Sequence, residues 1–123
     1  MPVERNADHP SFEIAGNTFT SLAAPSRGAT EAVLFHASVP PGGGLPRHKH
    51  DHLDVFTIAE GSGTMHIGDE SWEVTTGDSV VVPTGEWHYI EGGAEGVSIV
   101  VTMLAGTLMI REDGTQGVPP WNE

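Results

Sequence analysis

Apolar and β-branched residues occur along this chain in short runs broken by polar residues, glycine and proline. Ten segments read in this way as strands or strand fragments: FEIA, TFTSLA, EAVLFHASV, DVFTIAEG, TMHIGD, SWEVTTG, SVVVP, WHYIE, VSIVVTMLAG and TLMIR. Gly68-Asp69 forms a hairpin-type turn between MHI and SWEV, and Gly77-Asp78 breaks the chain before SVVV. No helical periodicity is long enough to compete. The segment PPGGGLP, residues 40–46, suits neither strand nor helix, so it is a loop that delivers the chain into the histidine-rich segment beginning at Arg47. Many short strands with closely spaced turns predict an all-β fold, a sandwich or a small barrel.

At 123 residues, with no internal repeat and one compositional regime, the chain reads as a single domain over 1–123. Residues 1–10 read as a loose arm. Residues 112–123, EDGTQGVPPWNE, read as a tail that docks through Trp121, as a plain surface patch, a clasp on the core, or a functional contact.

The segment RHKHDHLD, residues 47–54, changes the picture. His48, His50, His52 and Asp54 fall on alternate positions, which on a straight strand share one face. Imidazole with carboxylate suits first-row divalent ions such as Fe, Mn, Co, Ni, Cu or Zn. Reach then limits the set. Residues 48 and 54 would lie about 20 Å apart if extended, whereas a His and an Asp sharing one ion bridge only roughly 12 Å between Cα atoms. His48 and Asp54 therefore bind together only where the chain bends, and a bend removes the guarantee that His52 faces the ion. A further ligand has to come from elsewhere. His88, in GDSVVVPTGEWHYI, reads either as that ligand or as a structural histidine, and His9, His36 and His66 read as structural.

Charge narrows the partners. The chain has 17 acidic and 5 basic residues, a formal net charge of −12. Nucleic acid and anionic membrane both need clustered Lys and Arg, so neither is expected as a partner. There is no cysteine, which excludes disulfides and thiolate metal sites. The N-terminus carries charge where a signal peptide needs an apolar stretch, and no run is long enough to span a bilayer, so a cytoplasmic protein is expected.

The chain resembles the cupin superfamily of small double-stranded β-helix (jelly-roll) barrels, over residues 31–105 or so. The first cupin motif appears as Gly42, His48, His50, Asp54 where Glu is usual, and Gly61. The second appears as Gly77, Pro83, Gly85 and His88, with Gly92 in place of Asn. The resemblance implies that His48, His50 and His88 are metal ligands and that Asp54 fills the carboxylate position. Asp is shorter than Glu by about 1.5 Å, so it binds the ion directly, through water, or only orients a His. The resemblance also implies that His52 falls where many family members carry a non-ligating residue beside the site.

Cupins host several chemistries, so the fold does not name the reaction. The expected function is a metal-dependent enzyme acting on a small organic molecule inside the barrel, either a dioxygenase-type oxygenase or an isomerase/lyase using the metal as Lewis acid. The expected cofactor is one divalent transition metal ion, Fe, Mn, Ni, Zn or Cu. Phe56, Ile58, Val82 and Met103 are the expected pocket walls, with Trp87 and Tyr89 near the mouth and His52 as acid or base. The alternative is a non-catalytic metal- or small-ligand-binding domain. Small cupins commonly dimerise, and FEIAGNTFTSLA is the expected edge element of a homodimer.

Overall fold

Strands dominate because the β-branched runs find antiparallel partners along the chain. The computed structural model describes residues 2–123. Its strands are β1 (Ser11–Ile14), β2 (Asn17–Ala23), β3 (Ala32–Val39), β4 (His48–His50), β5 (Asp54–Ile67), β6 (Glu70–Thr75), β7 (Ser79–Val82), β8 (His88–Leu104), β9 (Met109–Arg111) and β10 (Gln116–Gly117). Single 3₁₀ turns occupy Asn6–Asp8, Pro25–Arg27 and Pro120–Asn122. Among the described residues no helix is long and apolar enough to cross a membrane.

The long strand β8 organises the sheet. It pairs antiparallel with β3, β4 and β5, and the path β1-β2-β3-β8-β4-β9-β10 runs through it. Strands β6 and β7 both pair with β5. The sheet curls around one core, and the all-β expectation holds. Period-two alternation selects the inward set. Val33, Phe35, Ala37 and Val39 of β3 stand directly across from Met103, Val101, Ile99 and Val97 of β8, and all eight are buried. Phe56, Ile58 and Met65 of β5 complete that core.

The sequence pattern divided β5 and β8 into two fragments each. In the structure DVFTIAEG joins TMHIGD, and WHYIE joins VSIVVTMLAG. The intervening glycines looked like strand breakers, yet they serve as points of close approach. A Cβ on Gly61 would sit 2.2 Å from the Gly96 carbonyl oxygen, and one on Gly92 would sit 2.2 Å from that of Pro40. The ladder between β5 and β8 shifts register beside Gly61 rather than ending there. Gly92 also holds the 40–46 loop, through Gly42 N–H to Gly92 O (2.9 Å) and Gly92 N–H to Gly43 O (3.0 Å). A side chain at position 92 would push that loop off the barrel.

Both ends are more ordered than their composition suggested. Glu4 forms an ion pair with Arg27. In the tail β10 pairs with β9, and Trp121 is buried, its ring stacked on Phe19 at 4.0 Å between centroids and 7° between planes. Of the three roles open to Trp121, the structure selects the clasp on the core.

Candidate metal centre

The histidine segment bends as the reach limit demands. Strand β4 stops at His50, residues 51 and 52 form a bend, and β5 starts at Asp54. The bend ends the alternation: His48, His50 and Asp54 are buried, whereas Asp51 and His52 are exposed. The corner from Pro83 to Trp87 then delivers His88 as the first residue of β8, directly opposite His48 in the ladder. Partners in register project to the same face, so that pairing brings two distant segments to one point.

The rings of His48 and His88 lie 4.4 Å apart between centroids, and His50 is 5.2 Å from each. One ring nitrogen of each lies within 4.8 Å of the others, a group able to hold a metal ion. Asp54 Oδ2 stands 3.5 Å from His50 Nε2 and 3.4 Å from His88 Nε2.

Backbone carbonyls set the tautomers. Nδ1–H of His48 donates to Pro46 O (2.8 Å), that of His50 to Leu108 O (2.9 Å), and that of His88 to Glu86 O (2.9 Å). A carbonyl only accepts, so each Nδ1 carries a proton, and in the neutral ring Nε2 is left with a lone pair. Three lone pairs and a carboxylate therefore converge in a buried space, where electron pairs repel unless a positive species lies among them. His88 Nε2 and Asp54 Oδ1 are buried without a hydrogen-bond partner among the described residues. A proton does not relieve this near neutrality at His48, because burial and then the neighbouring His88 push its pKa down to about 4. The donor set and its orphaned atoms fit a divalent transition ion held by neutral imidazoles and one carboxylate.

The same shift predicts acid sensitivity in the metal-free protein. His48 stays neutral when folded down to about pH 4 and takes a proton near 6.5 when unfolded. Between those values the unfolded chain binds more protons, so stability falls as pH drops from 6.5 towards 4 and is fully present above 6.5. The expected loss is on the order of 3 kcal/mol, and His50, lowered chiefly by burial, acts in the same direction. Melting temperatures of chelator-treated protein across that range check it. A His48→Gln variant should show a shallower decline, and an equal slope in both would contradict this account.

Beside the cluster lies a cavity of about 60 Å³, bounded by His48, Asp54 and His88 and walled by apolar residues such as Phe35, Phe56, Met65 and Val101. Residues 35–103, more than half of the chain, match the family model described as a Cupin domain. The chain belongs to the cupin family. This cupin is 37% identical over 59 residues to an uncharacterized protein of Methanocaldococcus jannaschii, covering 47% of each chain. It is 31% identical over 55 residues to a gentisate 1,2-dioxygenase of a Haloferax species, covering 45% of this chain and 15% of that one. The chain thus spans about half or less of the length of these curated relatives. The polyketide cyclase RemF of Streptomyces resistomycificus superposes with a TM-score of 0.76 at 24% identity, covering 87% of this chain and 81% of that one. That last likeness shows the fold alone.

Within this cupin the residues expected at the pocket separate into two groups. Phe56 and Tyr89 line the cavity. Ile58, Val82 and Met103 are buried but lie outside its lining. Ile58 and Val82 pack into the core, and Met103 is covered by the C-terminal turn, with Asn122 Nδ2 3.8 Å from its sulfur. Trp87 is half-buried on the outer side, its ring 4.7 Å from Lys49 Nζ and 5.9 Å from the Arg47 guanidinium. Lys49 alternates with His48 and His50, so it occupies the opposite face of β4, and Arg47 immediately precedes the strand.

His52 also stands apart from the cavity, which does not support a role as its acid or base. Its side chain is 45% exposed, and Nδ1 lies 3.1 Å from Asp51 Oδ1. The same Asp51 oxygen accepts the Leu108 N–H at 2.9 Å, and the Leu108 carbonyl orients His50. Residues 51 and 108 thus brace His50 from outside the cluster. Leu108 acts only through its backbone, so its side chain carried no signal; Asp51 was hidden among the histidines. Asn17, buried on β2 and part of the cavity wall, was also missed, because one asparagine at a turn reads as a turn residue.

Proposed function

We propose that this cupin is a metal-dependent enzyme in which His48, His50, His88 and Asp54 hold one divalent Fe, Mn, Ni, Zn or Cu ion against a small organic substrate. The observation that carries this reading is the convergence of three imidazoles and a buried carboxylate, with His48, His88 and Asp54 on the wall of a largely apolar cavity. When bound, such an ion supplies Lewis acidity and, if redox-active, electron transfer to dioxygen. The chain itself presents neutral, pre-oriented imidazoles, balances charge with Asp54, and excludes water with its aromatic and aliphatic walls.

Between the two reaction classes the lining favours the oxygenase. An isomerase or lyase needs a base beside the ion. Among the described residues that line the cavity, the titratable side chains are His48, Asp54, His88 and Tyr89, whose ring stacks on His66 at 4.3 Å. Oxygen chemistry needs no such base, and the partial similarity to a dioxygenase points the same way. Elemental analysis of protein purified without chelator should find close to one equivalent of transition metal. Oxygen uptake with a panel of small hydroxylated acids should appear with Fe(II) and not with Zn(II). Well under half an equivalent of metal, with no rise in melting temperature on adding Fe, Mn, Ni or Zn, would defeat the proposal.

A homodimer is the proposed assembly. Strand β1 ends the sheet path and, among the described residues, leaves its outer edge unpaired, which suits pairing with a second copy. Sedimentation velocity should return twice the chain mass, and a monomer at about 100 µM, which leaves less than roughly 5.5 kcal/mol for association, would rule it out. The net charge of −12 supports a small-molecule partner rather than nucleic acid or membrane.

A further inference from the structure

We infer that Asn17 binds the substrate, through a hydrogen bond from a hydroxyl or amino group to its Oδ1. The inference rests on the cavity assigned above as the substrate site. Asn17 is the first residue of β2 and lies outside the segment that matches the family, residues 35–103. It is fully buried and forms part of the cavity wall.

The orientation of its amide is set by its neighbours. Nδ2 donates to Ile14 O at 3.0 Å and lies 3.5 Å from Ala15 O. Turning the amide over would place oxygen against two carbonyl oxygens, so the observed assignment is the one the chemistry allows. Oδ1 is left buried without a hydrogen-bond partner among the described residues. A buried acceptor with nothing to accept from is costly, and a ligand that donates to it recovers the loss. The surrounding walls do not do so: beyond the metal cluster, Asn17 and Tyr89, the cavity-lining side chains are apolar.

The ligand class follows from both polar elements and the space between. At roughly 10–15 Å³ per water, the cavity of about 60 Å³ has room for about four to six non-hydrogen atoms. Such a molecule is anionic or chelating where it meets the histidine cluster and carries a hydroxyl or amino donor where it meets Asn17. An apolar group at that second position leaves Oδ1 unsatisfied, so Asn17 discriminates against it.

Two isosteric probes test this: 3-hydroxypropanoate and butanoate, titrated calorimetrically into the full chain loaded with redox-inert Zn(II). The wild type should bind 3-hydroxypropanoate about tenfold more tightly. Asn17→Leu should erase or invert that preference while leaving Zn(II) affinity unchanged. A merely structural Asn17, tethering the β1–β2 turn through Nδ2, would lower stability in the variant and leave the ratio of the two affinities alone. Where Asn17→Leu does not fold, Asn17→Ala reads the same ratio. The proposal is overturned if the Zn(II)-loaded wild type binds the two probes equally or binds neither, or if a folded variant keeps the wild-type ratio. Failure of the wild type to take up Zn(II) would instead strike the metal reading first and this inference with it.

Discussion

Replacing His88 by alanine is expected to abolish tight metal binding while leaving the barrel folded. His88 is the one imidazole of the cluster that comes from the second chain segment, and its Nε2 is among the orphaned atoms. Losing even a partner that only orients a ligand typically costs 10–100-fold in metal affinity, so losing the ligand should cost more than about 100-fold. Binding to the native state at 100 times the dissociation constant stabilises a protein by about 2.7 kcal/mol. Wild-type protein should therefore melt several degrees higher with added metal, and His88→Ala should not respond. The metal-free variant should be no less stable than metal-free wild type by more than about 2 kcal/mol, since an unpaired buried nitrogen leaves with the ring. His52→Ala provides the contrast. That exposed ring touches the site only through Asp51 and Leu108, so metal affinity should fall less than about tenfold. Equal losses in the two variants would contradict the ligand assignment. Metal titration followed by melting measures both.

Trp121→Ala should produce the largest loss of stability. The ring is 2% exposed, stacked on Phe19 and edge-on to Phe35 at 6.0 Å between centroids. Truncating a buried Trp or Phe to Ala costs about 3–5 kcal/mol, through lost transfer energy and the cavity left behind. For a domain of this size that lowers the melting temperature by on the order of 10–20 °C. Trp121→Phe should retain most of the stacking, and its loss should stay below half as large; among the described residues the indole N–H has no hydrogen-bond partner that Phe would forfeit. Urea unfolding of the three proteins checks the order. A Trp121→Ala cost within 1 kcal/mol of zero, against that roughly 3–5 expected, would mean that the tail does not close the core. Phe19 and Phe35, the two rings Trp121 packs against, both line the cavity, so loosening of the tail should also weaken ligand binding.

Much of the site was legible because its information is local. His48 and His50 are two residues apart, and a strand puts such residues on one face whatever surrounds it. The distance limit between His48 and Asp54 required a bend, and the chain bends at residues 51 and 52. The motif spacing located His88. The pocket was harder. Phe56, Ile58, Val82 and Met103 are all inward and apolar, and alternation reports burial without reporting what each residue is buried against. Only Phe56 among them meets the cavity, because the tail covers Met103 and core neighbours surround the others.

Composition and periodicity alone thus determined an all-β chain with no thiolate chemistry and a histidine-rich segment suited to a divalent ion. Both follow from side-chain chemistry and the two-residue repeat, which need no knowledge of distant partners. Tertiary structure decided the rest: that glycines at 61 and 92 join strands instead of ending them, that the carbonyls of Pro46, Glu86 and Leu108 orient the rings of the histidine cluster, and that Asn17 lines the same cavity as His48, Asp54 and His88. Each of those depends on a backbone atom, or a side chain far away in sequence, arriving at one point, and pairing register rather than residue type controls that arrival.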